Sequence, residues 1–412
     1  MAERSYAFIV HSSLHDPVFI RTVEEKVERA VGQDLVVKRY YSADQPVPSD
    51  VSSAVIVIAT GGTESLLLKL ASQLRNKPKV FLTYDIANSL PAFIEAYPLL
   101  KQESARMTYI TASFDNLEQY LLKARRILST LSKIRGSRLG LIGGISEWLV
   151  YSKTSLSIVK EKLGISMVEL PIERVYELYS QVQNAEKSEE LNQIISSSKL
   201  EVPKEEVEKA YRLYIALSKL VESEKLDGFT IKCFDIIKQL RTTACLAVSL
   251  FNSKLVTAGC EGDIPSFISM HVLTALTGKP AFMGNPSKIT NNRFLIAHCT
   301  APLAISAGKP ILKTHFESNM GVGVAITFDR GEVTFLRFSP DLSSARLFKG
   351  KIVMGDPVSD KHCRSQAWVE VNFDPRVLIE RSMGNHYVFV EGDHLEELTG
   401  LLNLLGVNVE LL

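Results

Sequence analysis

Several absences narrow what this chain can be. No run of about eighteen uncharged apolar residues occurs, so no bilayer-spanning helix is expected. Charge of one sign does not dominate: 47 Lys and Arg face 46 Asp and Glu, a net +1. Neither a nucleic-acid nor a membrane-surface footprint is therefore expected. There are five cysteines, at 233, 245, 260, 299 and 363, an odd number with no C-x-x-C pair. That argues against a disulfide framework or a structural zinc site and for small buried thiols in a reducing cytoplasm. Internal repeats and low-complexity tracts are missing, which sets aside a solenoid. The opening MAERSYAFIVHSS lacks the charged, apolar and small-residue order of a secretory signal.

What is present is ordinary globular composition, 46% hydrophobic and 23% charged over 412 residues, enough for two or three cores. The first third alternates strand-like runs (Ala7–Val10, Leu35–Val37, Ala54–Ile58, Val80–Thr83, Met107–Thr111) with helical periodicity, as in Arg21–Val31 and Thr63–Leu74. Alternating βα units predict a parallel sheet covered on both faces. A helix over Leu117–Ile134 leads to a boundary at Arg135-Gly136-Ser137. A second α/β pattern follows. Its expected strands are Arg138–Ile142, Ser166–Leu170 (after a long amphipathic helix), Gly228–Cys233, Leu255–Cys260, Ala281–Gly284 and Arg293–His298. The polar stretch Gln183–Glu206 is an exposed excursion, and Glu205–Val221 is a helix with an apolar packing stripe. A further helix runs to Leu250, and another covers Ile264–Thr277. Beyond residue 300 the pattern turns to antiparallel β, with a hairpin of Gly321–Phe328 and Glu332–Phe338 around Asp329-Arg330-Gly331. The expected architecture is two doubly wound parallel-sheet domains, 1–135 and 136–300, then a C-terminal antiparallel, barrel-like β-rich domain, 301–412.

Ligands bind open α/β sheets outside the carboxyl ends of the strands. In the middle domain those ends carry Gly143-Gly144, Cys233-Phe234-Asp235, Cys260-Glu261-Gly262-Asp263, Met283-Gly284-Asn285 and His298-Cys299-Thr300. One parallel sheet would gather Asp235, Glu261, Asn285 and His298 at one edge. Oxygen ligands suit Mg²⁺, Mn²⁺ or Ca²⁺, and added imidazole leans towards Mn²⁺. Such an ion polarises a carbonyl and its neighbouring hydroxyl, while a carboxylate beside it moves a proton between adjacent carbons. The bland alternative is a polar cluster that caps helices. Asp263, ahead of Ile264-Pro265, either joins the site or only caps.

The last third holds polar knots at His315-Phe316-Glu317-Ser318, His362-Cys363-Arg364-Ser365-Gln366, Gly384-Asn385-His386 and Gly392-Asp393-His394. The Arg364 fork suits a carboxylate, phosphate or sulfonate. His271, inside a helix, is expected to be structural. In the first domain, Thr60-Gly61-Gly62-Thr63 opens a helix but lacks the lysine of a Walker loop. Asp85 and Asn88-Ser89-Leu90-Pro91-Ala92 either line a cleft or start a helix.

Taken together, Cys260-Glu261-Gly262-Asp263, Phe282-Met283-Gly284-Asn285, Ala297-His298-Cys299-Thr300, Cys363-Arg364-Ser365-Gln366 and Gly384-Asn385-His386 resemble the L-fucose isomerase-like family, related to the L-arabinose isomerases. The resemblance runs from Asn88–Ala92 to the end and is strongest over 228–393. It implies two α/β domains and a β-rich one, aldose–ketose isomerisation through an enediol, a Mn²⁺-type ion, and a trimer-based or hexameric homo-oligomer whose site a neighbour completes. Glu261, Asn285, His298 and His386 match the metal positions, with Glu261 and Asp235 moving the proton. Arg364, Asn88 and Asp263 are expected at the substrate. One position departs from the pattern: Asn285 stands where the family carries a second carboxylate, and a neutral amide cannot act as a base. The alternatives are a non-catalytic sugar-binding or regulatory protein on the same scaffold, or another metal-assisted reaction at a sugar carbonyl.

Overall fold

The computed structural model describes residues 4–103 and 106–412, so the first three residues of the opening segment lie outside the described residues. The chain divides into two compact units: 1–133 with 396–408, and 134–395 with 409–412.

In the first unit, β1 (Arg4–Val10), β2 (Val36–Tyr40), β3 (Val51–Ile58), β4 (Lys79–Tyr84) and β5 (Met107–Ala112) form a parallel sheet in the order β2-β1-β3-β4-β5. Strand β3 reads VSSAVIVI and is almost wholly buried, the continuous apolar run that two covered faces require. The connecting helices are α1 (Pro17–Val31), α2 (Glu64–Gln73), α3 (Ser89–Glu103) and α4 (Leu117–Gly136). Asp16 caps α1, its side chain accepting from the Val18 N–H, with Pro17 preset for the first turn. The late helix Leu395–Leu405 packs here, and its Glu397 pairs with Arg126 at 3.1 Å.

The second unit opens with β6 (Arg138–Ile142) and β7 (Ser166–Leu170). Between them stands only a short helix, α5 (Leu156–Leu163), closed by Ser155 and the left-handed Gly164, where a long one was expected. Next come α6 (Glu173–Gln181), α7 (Glu189–Ser197), β8 (Lys199–Leu200), α8 (Lys204–Glu224), β9 (Gly228–Ile231), α9 (Cys233–Leu240), α10 (Cys245–Ser253), β10 (Thr257–Cys260) and α11 (Ile264–Thr277). The expected helix to Leu250 is thus two, broken where Arg241 turns left-handed at φ 56°. The parallel sheet has four strands, β10-β9-β6-β7.

The remaining strands are β11 (Phe282–Thr290), β12 (Arg293–His298), β13 (Ile311–Lys313), β14 (Gly323–Ala325), β15 (Gly331–Phe338), β16 (Ser344–Met354), β17 (Ser365–Glu370), β18 (Tyr387–Glu391) and β19 (Asn408–Leu411). Six of them close an antiparallel barrel, β15-β18-β11-β12-β17-β16 and back to β15, with β19 added on β16. Phe282, Phe294, Phe335, Phe348 and Phe389 stack in its core.

Two expectations fail here. Strands β11 and β12 are barrel strands and not the last members of the parallel sheet. They form a hairpin about Asn291-Asn292, and Asn291 adopts φ 48°. The hairpin expected between Gly321–Phe328 and Glu332–Phe338 does not form either. Strand β14 pairs with β13, which pairs in turn with β8, while β15 pairs with β16 and β18. Alternation marked both runs as strands, but alternation alone does not name a partner.

Candidate metal and sugar site

The C-terminal edge of the parallel sheet and the ends of barrel strands meet inside the second unit. Strand β10 ends at Cys260 and delivers Glu261, β12 ends at His298, and His386 directly precedes β18. Glu261 sits at φ 63° and is followed by Gly262 at φ 69°, a left-handed pair that turns the carboxylate away from the strand line. Only glycine fits at 262, because a Cβ there would collide with the Gly144 carbonyl. The Ser146 N–H donates to the Glu261 carbonyl at 3.0 Å, so the Gly143-Gly144 loop and the Glu261 turn hold each other.

Glu261 Oε1 lies 3.8 Å from His298 Nε2 and 3.6 Å from His386 Nε2. Its Oε2 accepts from the Trp148 indole N–H at 2.7 Å. Each imidazole is steered through its other nitrogen. His298 Nδ1 meets Thr300 Oγ1 at 2.8 Å, and His386 Nδ1 meets Asp263 Oδ2 at 2.9 Å. Both Nε2 atoms therefore point at one carboxylate, and the ligand atoms of Glu261, His298 and His386 lie within 4.8 Å of one another. His386 is fully buried and its Nε2 has no hydrogen-bond partner. An orphaned buried nitrogen is costly unless something binds it, and a carboxylate with two Nδ1-anchored imidazoles is a donor set suited to a divalent ion.

Electrostatics agree with the geometry. Burial opposes charge on Glu261, but the two histidines outweigh it and hold the carboxyl well below the usual range. Burial likewise opposes charge on His386, yet Glu261 and Asp263 raise its pKa to about 9. Arg337 and His386 overcome burial at Asp263 and hold it at about 2.

A cleft of about 500 Å³ adjoins the cluster, lined by Trp148, Val150, Tyr151, Ser152, Ser382 and Asn385 among others. Trp148 bonds Glu261 and Asn385 precedes His386, so the cleft wall is continuous with the cluster. That volume suits a small molecule.

No protein-family model matches this chain. Part of it, however, is similar to a sugar isomerase. Over 220 residues the chain is 23% identical to a sulfoquinovose isomerase from Clostridium sp. (strain MSTE9), covering 48% of this chain. The match spans about half of that relative, 47% of its length.

The expected site residues scatter around this frame. Glu261, His298 and His386 come together. Asn285 is nearby: it pairs with Ala297, the residue before His298, and its Oδ1 accepts from Asn385 Nδ2 at 3.2 Å. Asp235 is engaged instead by Lys232 at 3.3 Å and Lys238 at 3.6 Å at the start of α9. Asp263 is fully buried, capping α11 through the Ser266 N–H and supporting His386, so it faces no open space a substrate can enter. Arg364 is buried too. It donates to the Thr314 carbonyl at 2.7 Å and lies 5.6 Å over the Phe316 ring, anchoring the 314–320 loop rather than presenting a free fork. Asn88 is an exposed residue at φ 55° in the first unit. His271, as expected, is structural, held by Ser137 and Thr257.

Nothing in the sequence singled out Trp148 or Arg337, and Glu317 stood out only as part of the His315–Ser318 polar knot. Trp148 sits in the loop after β6, and its ring packs on Phe234, which packs on His315. Burial, His298 and Arg364 depress the His315 pKa to about 4. Glu317, in the same loop, is raised by burial and by the nearby Glu261. Arg337 is wholly buried against Asp263 at 3.1 Å.

Proposed function

We propose that this protein is a metal-dependent aldose–ketose isomerase that works through an enediol. The observation that carries this reading is the convergence of two Nδ1-anchored imidazoles on Glu261, with His386 Nε2 buried and without a hydrogen-bond partner. Glu261, His298 and His386 would hold a divalent ion, Mn²⁺ being best suited to that donor set, and bound there it would supply Lewis acidity to a sugar carbonyl.

The chain's own residues divide the remaining work. Trp148 fixes the Glu261 carboxylate through Oε2. Glu261 would be committed to the ion and to the Trp148 indole N–H, and Asp235 is engaged by two lysines. Glu317, an exposed carboxyl in the same loop as His315 that stands close enough to Glu261 to feel its charge, is the group we assign to take a proton from one carbon and return it to the next. The Asn285 and Asn385 amides are placed to hydrogen-bond sugar hydroxyls. The substrate we propose is a carbohydrate, and sulfoquinovose heads the panel because the similar isomerase is named for it. No helix among the described residues is long and apolar enough to cross a membrane. A homo-oligomer is part of this reading, and Val150 and Tyr151, exposed apolar residues on the cleft wall, are where a second copy would pack.

The test is product analysis on an aldose and ketose panel. Glu261→Gln is expected to abolish turnover with folding intact. Glu317→Gln is expected to lower kcat by about 10²- to 10⁴-fold while leaving metal binding unchanged; full kcat in that variant removes Glu317 from the mechanism. Asn285 favours a second reading, a sugar-binding or regulatory protein. That reading predicts thermal stabilisation by sugar with no product. Another carbonyl reaction would show itself as an epimer or a cleavage product.

A further inference from the structure

Arg337 is a fully buried arginine, and all of its bonds stay within the shell around the cluster. Its Nη1 donates to Asp263 Oδ1 at 3.1 Å and Oδ2 at 3.2 Å, and also to Ser266 Oγ. Its Nη2 donates to Ser152 Oγ at 2.8 Å, and its Nε to the Met383 carbonyl at 2.8 Å. These partners lie on three separate segments. One is the loop that carries Trp148, one is the start of α11 just after Glu261, and one is the turn that leads into His386. The last turn is moulded to the guanidinium: Gly384 has φ 122°, and a Cβ there would collide with Nη2. Lysine cannot reproduce a planar fork of donors aimed in three directions.

Asp263 is as fully committed. Its Oδ1 accepts from the Ser266 N–H at 3.0 Å and from Arg337, and its Oδ2 faces Arg337 and His386 Nδ1. A carboxylate only accepts, so His386 must carry its proton on Nδ1.

We infer that Arg337 and Asp263 are a buried positioning pair that locks His386 with its proton on Nδ1 and its Nε2 aimed at Glu261. Neither residue touches the ion or the sugar; they act through His386 and through the segments Arg337 ties. The inference rests on the proposed metal site. Partners of this kind typically change metal affinity by about 10- to 100-fold.

Three measurements test it. In ¹⁵N-histidine spectra of the wild-type protein loaded with diamagnetic Zn²⁺, His386 is expected to show a protonated Nδ1 and a metal-shifted Nε2. The reverse assignment overturns the inference. In Mn²⁺ titrations followed by the signal of the free ion, Asp263→Asn is expected to raise Kd about 10- to 100-fold. Asp263→Asn leaves Arg337 unpaired and risks misfolding, so the charge-neutral Asp263→Asn/Arg337→Met chain is titrated beside it and is expected to show the same loss. Wild-type affinity in a folded variant overturns the inference and leaves the metal site standing. A wild-type protein that binds no divalent ion overturns both.

Discussion

At the residue scale the site depends on a few positions that tolerate little change. Glu261 and Gly262 hold consecutive positive φ values, and the Gly262 Cα faces the Gly144 carbonyl. Gly262→Ala is expected to cost about 2 kcal/mol or more, through the left-handed backbone and the collision together, read as a fall in Tm. His386 makes the metal-free protein sensitive to pH. Its folded pKa, about 9, lies above the ordinary 6.5, so the charged form contributes stability fully below pH 6.5. That contribution, about 3 kcal/mol at most, is lost as pH rises through 9. A chelator-treated sample should therefore lose Tm between these values, and His386→Gln should flatten the profile. A wild-type profile as flat as the variant's would mean that the two carboxylates do not hold a proton on His386. Glu261 and His298 were legible because each is a polar residue at the end of an apolar run, and His386 because of its Gly384-Asn385-His386 setting. Trp148 and Arg337 were not. An indole that meets a carboxylate 113 positions away leaves no local trace. Arg337 lies in the Glu332–Phe338 strand run, and nothing local marks it as the buried partner of Asp263.

At the element scale, the instructive difference is β11 and β12. Short apolar runs ending in Asn285 and His298 look alike whether their partners run parallel or antiparallel. What decides is the Asn291-Asn292 turn, which folds the two strands back on each other. Asn291→Gly should keep Tm close to wild type, because glycine adopts φ 48° without strain. Asn291→Val should lower stability by about 1–2 kcal/mol; equal Tm values for the two would contradict a left-handed turn. Helix α11 shows the opposite case, where local chemistry was readable in full. Asp263 and Pro265 start it and Gly278 ends it, as the residue types predict. The second task of that cap, holding His386, depends on a strand more than a hundred residues later and was not readable.

At the scale of the whole molecule, alternating βα units and a late change to β patterning were enough to anticipate parallel-sheet α/β domains followed by an antiparallel barrel. Barrel closure was not, because it rests on β15 meeting both β16 and β18. That closure matters for the site: it carries His298 and His386 to the sheet edge where Glu261 emerges. The central claim is that these three side chains hold one divalent ion. The most direct test is Mn²⁺ titration of chelator-stripped protein, wild type beside His386→Ala, with Tm followed in the same samples. The account predicts one ion per chain in the wild type, stabilising by about 2.7 kcal/mol at a hundredfold excess over Kd, and loss of both signals in the variant. No binding in the wild type, or equal binding in the two, would contradict it.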